Sequence, residues 1–240
     1  MAEPGVIVIT LPRLALAFLP ALAVVWLLWR WRTGAGTALY ALFRMLVQLM
    51  LVGFALAWIF GADRAGIVVA VLAVMLAAAS WIALRTAGTP RRRLYGHSLA
   101  AITLGGGSVL ALVTAGVLDL EPWYAPRYTI PLAGMIFANA MNAVSLAVER
   151  VQAELHRGTP WLDARNQALQ AALIPTVNAL FAVGLVSLPG MMTGQILSGV
   201  SPFVAARYQI MVMCMVFGAC GLSTVLFLRL ARQRLLANVQ

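Results

Sequence analysis

Residues 174–209, IPTVNALFAVGLVSLPGMMTGQILSGVSPFVAARYQ, decide how the chain is read. The apolar run 177–188 is long enough to be most of a membrane crossing. It breaks at Pro189-Gly190 into a short amphiphilic piece, 191–199, and stops again at Ser201-Pro202. Proline has no N–H for a helix ladder and glycine does not hold one, so the backbone must turn here. A second apolar run starts behind Arg207 and continues to Leu230. Irregular backbone at membrane depth has to face protein or water, so a Gly-, Met- and Gln-rich break between two spans reads as a lining. The plainer reading is an external hairpin loop.

The composition around this stretch sets the class. Hydrophobic residues make up 62% of the chain, charged residues 10%, and the mean hydropathy is +0.92. A soluble domain is roughly half apolar and a quarter charged, so this chain belongs in a bilayer. The high isoelectric point is therefore no sign of nucleic-acid binding. All 17 basic residues are Arg. A P-loop needs a Lys on the phosphates and a Schiff-base enzyme needs a Lys amine, so neither resides here. If ATP drives this protein, a second polypeptide holds the ATP and its Mg. Cys214 and Cys220 lie six apart in one apolar run, where a disulfide is geometrically excluded and small-hydrophobe packing is expected.

Working outward, the sequence predicts an all-α polytopic membrane bundle of about seven spans. They cover 14–31, 37–60, 65–84, 99–118, 131–148, 171–188 and 208–230. The first follows a short piece with Pro4 and Pro12; its length and trailing Arg30 and Arg32 suit an uncleaved span rather than a signal peptide. Trp26, Trp29 and Trp31 suit an interfacial belt. The link after the third span carries Arg85, Arg91, Arg92 and Arg93 with Pro90. Gly105, Gly106 and Gly107 inside the fourth span point to close helix approach rather than nucleotide binding. Residues 1–240 are expected to form one transmembrane domain with no soluble module. With the N-terminus outside, the inner links and tail hold Arg30, Arg32, Arg85, Arg91, Arg92, Arg93, Arg150, Arg157, Arg165, Arg229, Arg232 and Arg234. The outer links hold only Arg13, Arg64, Arg127 and Arg207, as the positive-inside rule asks, and an odd span count leaves the C-terminus cytoplasmic.

Several constellations could carry chemistry. Asn139, Asn142, Ser145 and Glu149 recur at three, three and four residues and so line one side of a helix. Carboxamides in a membrane need partners, so the stripe either hydrogen-bonds between helices or supplies oxygen ligands along a translocation path. Arg44 lies one turn from Gln48 on a shared face. It either snorkels to the inner interface or serves as counter-charge for a carboxylate such as Glu149. Met191, Met192, Thr193 and Gln195 set two thioethers beside harder oxygens; thioethers favour soft metals such as Cu(I), and such pairs also fill packing gaps. His97 and His156 stand in separate links without ligand spacing, and no catalytic set is visible.

Residues 174–213, together with Arg44-Met45-Leu46-Val47-Gln48-Leu49 and Val52-Gly53, carry a resemblance. So do 130–135, IPLAGM, running on to Asn139-Ala140-Met141-Asn142-Ala143-Val144. The chain resembles the Fet-type metal-export permeases, the membrane subunits of a small ABC exporter family, and is similar to plant aluminium-tolerance half-transporters. The resemblance implies a cell-membrane (inner or plasma) permease that exports a metal ion, iron first, working as a homodimer with a separate ATPase. It also implies that 149–170 is a coupling stretch, because Glu154, Gly158 and Ile174-Pro175 resemble the acidic, Gly, Pro loop by which ABC permeases touch their ATPase. A short helix over 161–170, started by Pro160, would lie on the inner surface with Trp161, Asp163 and Arg165 toward that partner. The segment 189–202 would then be external. The alternative is a passive channel or structural subunit without ATP coupling.

Overall fold

The computed structural model describes residues 9–59, 64–88 and 91–237. Pro4, Phe60 and Pro90 of the sequence reading lie outside the described residues. The described chain is helical, and it divides into two compact units, residues 1–61 and 62–240.

In the first unit, α1 (Leu11–Leu16) leads into α2 (Phe18–Arg30), and α3 (Ala35–Ile59) packs back against α2. Pro12 sits in the first turn of α1, where its missing N–H costs nothing. Gly34, at φ +89°, makes the turn into α3. Trp26, Trp29 and Trp31 are exposed, as an interfacial belt requires.

The second unit holds α4 (Ala65–Ala83), α5 (Arg91–Ala111), α6 (Pro126–His156), α7 (Trp161–Ala182), α8 (Gly190–Leu197), α9 (Pro202–Leu230) and α10 (Arg232–Leu236). A π-helical turn, Leu112–Val117, extends α5. The hub is α6, which packs against α4, α5, α7 and α9. Its Ala133, Ala140, Ala143 and Ala147 are buried on one side, and α7 presents Ala164, Ala168 and Ala172 at four-residue spacing. Small side chains let helix backbones approach, which matters where lipid removes the hydrophobic drive between helices. The glycine run works in the same way. A Cβ on Gly105 would stand 2.6 Å from the Ser223 backbone nitrogen of α9, and one on Gly106 would stand 3.0 Å from Ile136 of α6. Gly107 faces open space.

Among the described residues six helices are long and apolar enough to cross a bilayer, not seven: Leu11–Arg30, Ala35–Gly53, Ala65–Ala83, Arg91–Val117, Pro126–His156 and Pro202–Leu230. The protein is a multi-pass membrane protein. Two spans expected from the sequence change shape. The short surface helix over 161–170 and the span over 171–188 are one helix, α7, whose first half carries Asp163, Arg165, Asn166, Gln167 and Gln170. Those polar residues take it below the hydropathy of a membrane crossing. The helix also ends early, at Ala182, so 183–188 is not helical. Elsewhere the helices outrun the apolar windows, since Arg91–Arg93 opens α5 and 149–156 closes α6.

Candidate functional site: a broken helix and its cavity

The register of α7 against α9 fixes where the break falls. Arg232 lies over the Trp161 ring at 5.8 Å, and Thr176 Oγ1 donates to Cys220 Sγ at 3.5 Å, so the two helices run antiparallel. Ala182 is then level with about residue 214, roughly 18 Å short of the start of α9 at 1.5 Å per residue. The apolar run of α9 already begins at Tyr208, so the break opens inside the apolar zone. Its backbone closes on itself. The N–H groups of Leu185, Val186 and Ser187 all point to Ala182 O, and Gly184 N donates to Ser187 O. Gly184, at φ +84°, permits the turn. With its N–H groups satisfied locally, the turn can expose Leu185 (90%) and Val186 (85%) as apolar surface.

Beyond the turn, Pro189 stands at the N-cap of α8 with no side-chain cap. Thr193 Oγ1 donates to Pro189 O at 2.8 Å. A cavity of about 320 Å3 lies between this first turn of α8 and helices α6, α7 and α9. Its polar groups are Asn139, Thr176, Gln209 and the start of α8; Met135, Met191 and Met213 bring three thioethers. Asn139 Nδ2 donates to Met135 O at 2.8 Å within α6, leaving Oδ1 with no described donor. Gln209 is 7% exposed, and its amide makes no hydrogen bond with any described residue. Among the described residues no group of three or more His, Cys, Asp and Glu is placed to hold a metal ion.

The predicted path residues therefore part company. Asn139 and Met191 meet in the cavity. Ser145, on the same stripe, turns to the link after α4, where Thr86 Oγ1 lies 3.1 Å from its Oγ and 3.2 Å from its carbonyl oxygen. Asn142 and Glu149 are exposed along α6. Met192 and Gln195 are half-buried on α8, with Gln195 Oε1 buried and unpartnered among the described residues. In the first unit, Arg44 pairs with its neighbour one turn on. With the Gln48 amide oriented by its surroundings, its oxygen accepts from Arg44 Nε at 3.1 Å and Nη2 at 3.3 Å. The sequence reading missed Thr176, Gln209 and Met213. The signal was present in 209, 213 and 216, which share a helix face at spacings of four and three, but Gln209 beside Arg207 and Tyr208 reads as the edge of a span.

At the other end of α7 lie the residues of the predicted coupling stretch. Glu154, with its side chain 6% exposed, accepts from Arg150 Nη2 at 2.8 Å and Arg157 Nη1 at 3.2 Å. Thr159 Oγ1 donates to its second oxygen at 3.0 Å, and Arg150 reaches across to Gln167 Oε1 of α7 at 2.9 Å. Gly158, at φ +81°, makes the turn. Outside this clamp, Pro160 and Asp163 are exposed while Trp161 and Arg165 are half-buried. Arg165 bonds only Asn166, through Nε at 3.2 Å and Nη2 at 2.8 Å. Glu154 thus faces inward among its arginine partners, Pro160 and Asp163 face out, and Trp161 packs partly against the core.

Known proteins extend this picture. The model of an uncharacterised protein family, UPF0014, matches residues 11–236. The UPF0014 membrane protein slr1647 of Synechocystis is 36% identical, over 85% of this chain and 84% of its own. The Escherichia coli protein named "Probable iron export permease protein FetB" is 35% identical over 78% of this chain and 77% of its own. "Protein ALUMINUM SENSITIVE 3" of Arabidopsis thaliana is 31% identical over 79% and 74%. No solved structure matches. A multi-pass helical chain that pairs with such relatives along nearly its whole length belongs to the UPF0014 family.

Proposed function

We propose that this chain is the membrane-spanning permease subunit of an ABC-type exporter that moves a metal ion, iron first, out of the cytoplasm. The observation that carries this reading is its 35% identity, over 78% of its length, to the bacterial protein named as an iron export permease. The ATPase is a separate polypeptide that holds ATP and Mg, in keeping with a chain whose basic residues are all Arg. Two copies pair as a homodimer. The exposed Asn142 and Glu149 on the hub helix are the positions a second copy would cover, which extends the path from Asn139 along α6. The rest of the path set, Arg44 and Gln48 with Met191, Met192 and Gln195, belongs to the same proposal.

The ATPase docks at the turn from α6 to α7. Gly158, Pro160, Trp161, Asp163 and Arg165 form its surface, and the Glu154 clamp keeps that surface rigid enough to transmit motion. One continuous helix runs from Trp161 to Ala182, so a displacement at the docking end reaches the cavity directly. In this reading the α6–α7 turn lies in the cytoplasm, the C-terminus lies with it because α9 runs back antiparallel to α7, and the break lies toward the far side. The test is metal flux from vesicles holding the purified chain, with and without its ATPase. ATP-dependent iron flux that Trp161→Ala reduces about tenfold, with insertion intact, is the expected result. Flux that ignores ATP would make the protein a passive channel. No metal flux in either condition would remove the exporter reading.

A further inference from the structure

We infer that the cavity beside the first turn of α8 is an oxyanion site, built to take a carboxylate-bearing small molecule. Under the exporter reading, on which this second step rests, a metal passing here travels as its anionic chelate rather than as the bare ion.

The inference starts from groups that have no partner. The N–H groups of Gly190, Met191 and Met192 open α8, and none has an acceptor among the described residues. Pro189 at the N-cap offers no side-chain oxygen to them. Helix starts of this kind bind anions, because the free N–H groups and the positive end of the helix point the same way. Gly190 and Met191 line the cavity, so this end faces it. Gln209, a residue 7% exposed, lines it too, and its amide has no partner among the described residues. An unpaired amide on a cavity wall keeps its donors free, and a ligand oxygen could accept from Nε2. Thr176 gives its hydroxyl to a sulfur, a weak acceptor that a carboxylate oxygen could outcompete.

The same wall is poorly suited to a bare divalent cation. It holds no Asp or Glu, and its remaining surface is Pro, Val, Ala and Met. A hard cation would find the carboxamide oxygens of Asn139 and Gln209 but no carboxylate to balance its charge, and it would face thioethers and the positive end of α8. A metal already wrapped in carboxylates presents oxygen and negative charge instead. The volume, about 320 Å3, admits a ligand the size of citrate.

Two substitutions remove donors without crowding the site. Gly190→Pro deletes one N–H at the first helical position, where proline is favoured. Pro189 is already extended (ψ 140°), as a residue before proline must be, and a Cβ at 190 meets nothing within 4 Å. Gln209→Leu deletes the amide. Binding of citrate, ferric citrate, chelator-free Fe(II) and chelator-free Cu(I) to the purified full-length chain in nanodiscs would be measured by calorimetry. Citrate and ferric citrate should bind, and each substitution should weaken both about tenfold, as expected for a lost hydrogen bond to a charged group. Citrate binding that is absent, or indifferent to both substitutions, would overturn the inference. So would chelator-free Fe(II) or Cu(I) binding that Gln209→Leu or Met191→Leu weakens. The two readings fail separately. Chelate binding without ATP-driven flux sinks the exporter alone, and metal flux without chelate binding sinks the oxyanion site alone.

Discussion

The two ends of α7 are built on opposite terms. At its start, Glu154 draws Arg150, Arg157 and Thr159 together, and Arg150 goes on to Gln167. At its end, the Gln209 amide, Asn139 Oδ1 and the opening N–H groups of α8 surround a cavity without satisfying one another. Native proteins seldom leave buried polar groups unpaired, and those they do leave are usually explained by strain, water or function. The contrast teaches that polarity alone does not mark a site in a membrane bundle. The clamped end is the more highly charged, yet it reads as scaffold. The neutral end, where partners are missing, is the one with room for a ligand.

The contrast extends to packing, and breaking it there should give the largest effect. Gly105→Val would force a Cβ to within 2.6 Å of the Ser223 backbone, with no flexible side chain able to yield. Helices α5 and α9 would have to separate, so a loss of about 3 kcal/mol, or failure to assemble, is expected. Gly190→Ala places a methyl group in open space and should leave stability within about 0.5 kcal/mol. Unfolding in mild detergent by a denaturing-detergent titration measures both. Equal losses for the two would mean that the close α5–α9 approach is not what holds this unit together.

A middle-sized effect tests the clamp. Glu154→Ala leaves Arg150 and Arg157 without their carboxylate. Breaking a fully buried pair costs about 3–5 kcal/mol, but both guanidinium groups keep access to solvent, so about 2 kcal/mol is expected. Hydrogen exchange should rise first at 157–159, where the turn loses the carboxylate that Thr159 and Arg157 bond. A variant as stable as the wild type would make this end no more rigid than the other.

The bundle was legible because membrane composition and helix period leave few alternatives. Apolar windows located six of the seven expected spans, and the glycine run correctly announced a close approach, since only a missing Cβ lets α5 reach Ser223. What the windows blurred were helix ends. The polar first half of α7 reads as a surface helix because hydropathy cannot tell a helix that leaves the membrane from one that lies on it. The stripe of Asn139, Asn142, Ser145 and Glu149 was correct as a period, but neighbours from different elements divide it, and period alone does not name neighbours. Gln209 was obscured because its meaning depends on α8 folding back to the cavity.

The smallest expected effect has the opposite sign and bears most directly on the comparison. Gln209→Leu removes an amide that has no partner among the described residues and leaves a side chain of similar size in an apolar, Met-rich cavity wall. At the clamped end every polar deletion should destabilise, because a partner is left behind. Here none is, and the mostly buried site favours an apolar side chain, so the substitution should raise stability by less than about 1 kcal/mol. Such a gain joined to a loss of ligand is the trade expected where function has kept a destabilising group in place. The denaturing-detergent titration used for Gly105→Val resolves a shift of this size if wild type and variant are run together. A rise, or no change, keeps the open end distinct from the clamp. A fall of 1 kcal/mol or more would mean that Gln209 does pair in the bilayer, and that both ends of α7 are held in the same way.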